Sequence, residues 1–222
     1  MLFRSLDKTV RDGLVMASRP HAVVLVHGLG RSAHSFDAMA RALNDKGLEV
    51  VRFNYASTQG SIVEHAQALN RVVAGLHGVT QVSFVTHSLG GVVVRQALDL
   101  KPTWRATVKQ GPSVLLAAPN QGSHVAKTLV AYAPARALFG PALSELADAQ
   151  HIKGMAQPTP FATVAGTTNP LWFFDGESDG LVSTVEAKLA EAKDHVDVAA
   201  AHTFIMNDNK VIDFTTRFIA SR

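Results

Sequence analysis

The sequence predicts an α/β fold, a mostly parallel sheet of six strands or slightly more with helices on both faces. Three observations carry this. Short apolar runs alternate with longer stretches of helical periodicity along nearly the whole chain. The runs are continuously apolar, as strands covered on both faces must be. No repeat or interdomain linker divides the 222 residues, a length that suits one domain.

The elements follow in order. Residues 1–20 read as an N-terminal helical extension, because Leu6, Val10 and Leu14 share one helical face. Packing against its own domain is expected of that face, with a membrane surface as the alternative. Ala22 to Val26, bounded by Pro20 and Gly28, is the first strand. Phe36, Met39, Ala40 and Leu43 then recur at helical spacing, and Gly47 marks a stop. Leu48 to Phe53 is the second strand, followed by the helical stripe Ile62, Ala66, Leu69, Val73 and Leu76. Val82 to Thr86 is the third strand, running directly into a helix from Leu89 to Leu98.

Ser113 to Ala118 and Phe161 to Ala165 give the fourth and fifth strands, and a weaker run from His195 to Ala201 the sixth. Val211, Phe214 and Phe218 mark a closing helix. Between the fourth and fifth strands lies an insertion of about forty residues, 120–160, rich in proline and punctuated by Val125, Leu129, Val130, Tyr132, Leu138 and Phe139. An insertion of that length in a compact domain predicts a small helical cap or lid.

Composition narrows the function. Hydrophobic residues make up 47% and charged residues 18%, which excludes a disordered chain. The net charge is only +3 and no Lys/Arg cluster interleaves with aromatics, so no nucleic-acid partner is implied. The chain has no cysteine, which excludes disulfides and thiolate chemistry and fits a cytoplasmic location. Charges interrupt the first residues before any secretory signal could form, and no later run approaches the ~20 apolar residues of a membrane span. His21, His34, His65, His77, His124 and His151 lack paired ligand spacing, so no metal site is expected.

Ser88 stands where a buried strand turns straight into a helix, in Val85-Thr86-His87-Ser88-Leu89-Gly90-Gly91. A serine hydroxyl becomes a nucleophile when a base takes its proton and a tight turn exposes its oxygen. The signature of such a turn is G-x-S-x-G; Gly90 supplies the last glycine and Thr86 replaces the first. At a helix start the Leu89 N–H is free and the helix dipole favours negative charge, so an oxyanion would be stabilised there. A plain helix N-cap is the bland reading of the same serine.

The first strand ends in His27-Gly28-Leu29-Gly30. One reading is an oxyanion loop, with the Leu29 N–H aimed at the substrate oxygen and His27 bracing the loop. The other is dinucleotide binding, because residues 28–33 formally fit G-x-G-x-x-G/A. The second strand ends in Arg52, Asn54 and Tyr55 instead of an acidic ribose ligand, which disfavours a nucleotide-dependent oxidoreductase and any cofactor.

The His27-Gly28-Leu29-Gly30 loop, the His87-Ser88-Leu89-Gly90-Gly91 turn and Pro119-Asn120-Gln121-Gly122-Ser123 together resemble the small serine lipases and esterases of the α/β-hydrolase superfamily. The resemblance runs from about Ala22 to the C-terminus. It implies an α/β-hydrolase fold and hydrolysis of a small-molecule ester, lipids included, by a Ser–Asp–His triad in that chain order without metal or cofactor. The family's Ser-Asp-Gly-x-Val pattern selects Asp179 as the acid, over Asp175 and then Glu177. His202 follows the last strand and is the base; His195 lies at the wrong end of it. In a parallel sheet all strand C-termini open on one edge, and Ser88, Asp179, His202 and Leu29 all fall just beyond such ends.

Leu181, Val182, Leu129, Tyr132 and Phe139 are the expected substrate contacts and favour an apolar acyl chain. His87 is expected only as filler before the serine. A thioesterase or amidase with the same triad is the near alternative, and a non-catalytic binding protein on the same fold the distant one.

Overall fold

A computed structural model describes residues 20–148, 159–170 and 176–220. Its centre is a seven-stranded sheet, parallel at every pairing. The strands are β1 (His21–Val26), β2 (Glu49–Phe53), β3 (Gln81–His87), β4 (Lys109–Gln110), β5 (Ser113–Leu116), β6 (Phe161–Gly166) and β7 (Asp194–Val198). The order is β2-β1-β3-β5-β6-β7, with β4 a short partner of β3. The sequence reading had six of these. β4 is only two residues long, too short for any periodic signal.

The chain passes from β1 to β2 on one side and then crosses to β3 on the other. Such a reversal opens a crevice beyond the carboxyl ends of β1 and β3, the usual ligand site of an open α/β sheet. Both strands are uniformly apolar because both faces are covered. Val24 and Val26 point into one core with α2 (Ile62–Ala74) and α3 (Leu89–Asp99). Val23 and Leu25 point into the other with α1 (Asp37–Asp45) and α8 (Asn209–Ala220). Each fully buried side chain of this size stabilises the fold by about 1.5–3 kcal/mol.

Helix starts are chemically specified. The Ser61 side chain accepts from the Glu64 N–H while Glu64 reaches back to the Ser61 N–H, a capping box that begins α2. The same device, Ser183 with Glu186, begins the short helix α7 (Thr184–Ala187) beside Asp179.

The described part of the insertion forms α4 (His124–Leu129), α5 (Ala133–Phe139) and α6 (Pro141–Leu146). These helices differ in depth. α6 buries Ala142, Leu143 and Leu146 in the core shared by α2 and α3, whereas α5 buries no residue. Glu145 of α6 also accepts the Ile62 N–H at the start of α2, 2.6 Å away. One end of the insertion is thus part of the core and the other lies on the surface. The rest of the expected cap, residues 149–158, and the expected N-terminal helix with Leu6, Val10 and Leu14 lie outside the described residues. No helix among the described residues is long and apolar enough to cross a membrane.

Candidate active site

Ser88 joins β3 to α3 with φ 51° and ψ −123°, a backbone conformation that costs a non-glycine residue about 1–3 kcal/mol. Packing holds it there. The Ser88 N–H donates to the Leu116 carbonyl at 3.0 Å, tying the turn to the end of β5. The first turn of α3 lies so close to β1 that a β-carbon at Gly90 would stand 2.2 Å from the Val26 carbonyl oxygen. Only glycine fits. Thr86, in place of the first glycine of the signature, is fully buried and comes within 3.1 Å of where a Gly91 β-carbon would be. The stricter demand for glycine at position 91 comes from Ala118, whose Cβ would stand 2.5 Å from a β-carbon there.

Asp179 and His202 meet on the same edge. His202 Nδ1–H donates to Asp179 Oδ2 at 2.7 Å, in a nearly dry setting with 1% and 7% of the two residues exposed. The other carboxylate oxygen, Oδ1, accepts the N–H groups of Leu181 (3.0 Å) and Val182 (2.8 Å). The His202 N–H donates to the Asp179 carbonyl at 3.0 Å, so loop and side chain are tied together. Asp179 follows β6 and His202 follows β7, adjacent parallel strands whose register carries both residues to one edge. Asp175, the competing acid, lies outside the described residues. Glu177 is exposed, and its carbonyl accepts the Thr184 N–H.

The loop after β1 is braced as expected of His27, by more partners than the sequence suggests. His27 Nδ1 bonds to the Gly28 carbonyl at 2.9 Å and Nε2 accepts the Tyr55 N–H at 3.4 Å, which fixes the Nδ1–H tautomer. Burial, the main cause, lowers the pKa of the ring and keeps it neutral. The Tyr55 hydroxyl donates to the His27 carbonyl at 2.8 Å and its ring stacks on His27 at 4.4 Å. The Gly30 N–H donates to Ser57 Oγ at 3.0 Å. Tyr55 and Ser57 were missed in the sequence. Their place just beyond the end of β2, on the same edge as the other loops, is the signal that points to them.

His87 is no filler. Its Nε2 bonds to the His202 carbonyl at 2.9 Å, and the two rings lie 4.7 Å apart. Asn120, of the Pro119–Ser123 segment, accepts from buried Arg95 through its carbonyl at 2.9 Å and donates to the Ala187 carbonyl at 2.6 Å. It anchors the stretch that carries α7 and, just before it, Asp179.

The expected substrate contacts separate. Val182 is a core residue packed with Ala165 and Ala187, and it serves the site through its N–H alone. Tyr132 is 61% exposed and turned to solvent. Leu129 and Phe139 pack on the same core as Leu29, and Phe139 borders the loop after β1, with its ring 4.0 Å from where a Gly30 β-carbon would stand. Leu181 is half-buried.

The dinucleotide alternative loses its footing. Residues 33–36 form a short 3-10 turn and α1 starts only at Asp37, so the glycine loop does not open directly onto an α-helix. Arg52, which stands at the end of β2 where an acidic ribose ligand would be needed, pairs instead with Asp37 at 2.5 Å. Among the described residues, no group of three or more His, Cys, Asp or Glu side chains is placed to hold a metal ion.

Sequence comparison decides the family at this point: residues 23–214 match the alpha/beta hydrolase family model. The chain belongs to the α/β-hydrolase family. No curated protein sequence matches it. Its solved structural relatives share the α/β-hydrolase architecture at low identity. A Bacillus licheniformis lipase superposes with TM-score 0.73 at 20% identity, covering 92% of this chain and 93% of that one. A metagenomic carboxyl esterase gives 0.65 at 22% identity, covering 90% and 71%. A thioesterase from prodiginine biosynthesis in Streptomyces coelicolor gives 0.57 at 13%, covering 90% and 85%. At these identities the likeness speaks to the fold alone.

Proposed function

We propose that this α/β-hydrolase is a serine hydrolase of carboxylic esters, with Ser88 as nucleophile, His202 as base and Asp179 as its partner. The observation that carries the reading is the buried Asp179–His202 pair on the sheet edge where the strained Ser88 turn opens. His202 donates through Nδ1, so in the neutral ring Nε2 is left as the proton acceptor.

In the reaction, His202 takes the Ser88 proton as Oγ attacks the ester carbonyl. The Leu29 and Leu89 N–H groups receive the oxyanion, Leu89 being the first residue of α3, where the N–H has no intrahelical acceptor. Each such donor contributes about 2.7–4 kcal/mol to transition-state binding in comparable enzymes. The imidazolium passes its proton to the leaving alkoxide. Water, deprotonated by His202, then hydrolyses the acyl-enzyme. Asp179 stays ionised throughout and stabilises the imidazolium.

Leu29, Leu129 and Phe139, partly buried against one core cluster, support an apolar acyl chain, lipid esters included. A thioester or amide would use the same groups, and comparing oxygen and sulfur esters of one acyl chain separates these substrates.

The test is direct. The full chain is treated with a fluorophosphonate probe and with p-nitrophenyl esters of rising chain length. Labelling on Ser88 and hydrolysis, both lost in Ser88→Ala, are the expected results. A folded wild-type chain that shows neither overturns the proposal and leaves a non-catalytic binding protein on the same fold.

A further inference from the structure

We propose that His87 is a positioning residue for the base: its Nε2–H holds the His202 carbonyl and thereby fixes the imidazole against Asp179. The proposal rests on the serine-hydrolase reading of the site.

The His202 backbone is clamped on both sides. Its N–H donates to the Asp179 carbonyl at 3.0 Å, and its own carbonyl receives His87 Nε2 at 2.9 Å. A carbonyl can only accept, so His87 carries its proton on Nε2 and presents a lone pair at Nδ1. That Nδ1 is buried and has no hydrogen-bond partner among the described residues. It faces the oxyanion loop, where a β-carbon on Gly28 would stand 2.9 Å away.

One buried side chain, 1% exposed, thus touches the base loop and the oxyanion loop while its backbone precedes the nucleophile. Burial first, and the adjacent His202 second, keep the His87 ring well below the usual histidine pKa and hence neutral. A neutral ring is what the geometry needs. A second proton at Nδ1 would find no acceptor, and its charge would lie beside the imidazolium that forms on His202.

Removing the Nε2–H frees one side of the clamp and leaves the His202 carbonyl without its donor. The imidazole then loses its fixed relation to Ser88, where displacements of about 1 Å cost on the order of a hundredfold in rate. Substrate binding does not depend on this bond, so the loss falls on kcat.

The experiment compares His87→Gln, His87→Asn and His87→Met in the full chain, with p-nitrophenyl butyrate as substrate. Gln and Asn carry the same amide, but only Gln extends far enough to place an N–H where Nε2–H stands. Met matches the length without a donor. Fluorophosphonate labelling of the wild type is run first, so that failure of the hydrolase reading is recognised separately.

The expected result is a kcat about 10–100-fold lower in Asn and Met, with KM within about threefold of wild type. Gln is expected to restore kcat to within about fivefold. Far-ultraviolet circular dichroism selects the folded variants, and Gln against either of the other two suffices. Equal kcat in Gln and in the Asn and Met variants, or a loss confined to KM, overturns the proposal.

Discussion

Asp179→Asn tests the triad at the point where the structure constrains the outcome most. The amide has two orientations. With its oxygen at the Oδ1 position it continues to accept the Leu181 and Val182 N–H groups, now at 3.0 and 2.8 Å. The flipped orientation sets an NH₂ against both donors and strands two N–H groups, at about 1–3 kcal/mol each. The first orientation therefore wins by roughly 2–6 kcal/mol, and it aims the NH₂ at His202 Nδ1. His202 must then accept at Nδ1 and carry its proton on Nε2, the atom that should take the Ser88 proton.

An inverted tautomer of this kind costs on the order of 10⁴ in kcat, equivalent to about 5.4 kcal/mol of barrier. The assay is kcat and KM for p-nitrophenyl butyrate near pH 8, alongside urea unfolding. Stability should fall only by about 1–2 kcal/mol, because the two backbone bonds survive and a single charged hydrogen bond is weakened. A folded variant that kept more than a tenth of wild-type turnover would refute the assignment of Asp179 as the acid.

The remaining predictions concern strain and protonation. Ser88→Gly should unfold at a higher temperature than Ser88→Ala, by an amount equivalent to about 1 kcal/mol. Glycine alone relieves the φ 51° backbone while both variants lack the hydroxyl; equal melting temperatures would show that the turn stores no strain. Stability should fall as pH drops below about 6.5, because burial depresses the pKa values of His87, His27 and His21 in the folded chain. The unfolded chain then binds the extra protons, so stability is present above the unfolded value of 6.5 and is lost toward the lower folded values. For His87 the slope is up to about 1.4 kcal/mol per pH unit, and His87→Gln should flatten the urea-midpoint profile between pH 7 and 5. An unchanged profile in that variant would rule out a neutral buried His87.

Much of the molecule was legible in the sequence because it depends on local pattern. The apolar run from Ala22 to Val26 has no alternation, since both faces are covered, and the same reasoning gave β2, β3, β5 and β6. Ser88 was legible because a nucleophile at a strand-to-helix turn needs small neighbours at fixed offsets, and Gly90 answers a backbone approach within its own motif. Asp179 and His202 could be named because the family resemblance supplied the chain order and the Ser-Asp-Gly-x-Val pattern, and parallel strands open on one edge. That rule needs only the strands, not their neighbours in space.

Contacts between loops were not legible. The bond from His87 Nε2 to the His202 carbonyl joins positions 115 residues apart, and no spacing in the sequence encodes it. Tyr55 and Ser57 brace the loop after β1 because β2 and β1 are adjacent, a fact of sheet order. Val182 looked like a substrate contact and proved to be core, because apolar residues in a pocket and in a core have the same chemistry and differ only in what surrounds them. The sequence by itself determined six of the seven strands and the tight turn at Ser88, since each follows from local sterics and periodicity. Only the tertiary structure decided which groups hold those residues still, because that depends on register and sheet order, which bring distant loops within hydrogen-bond reach.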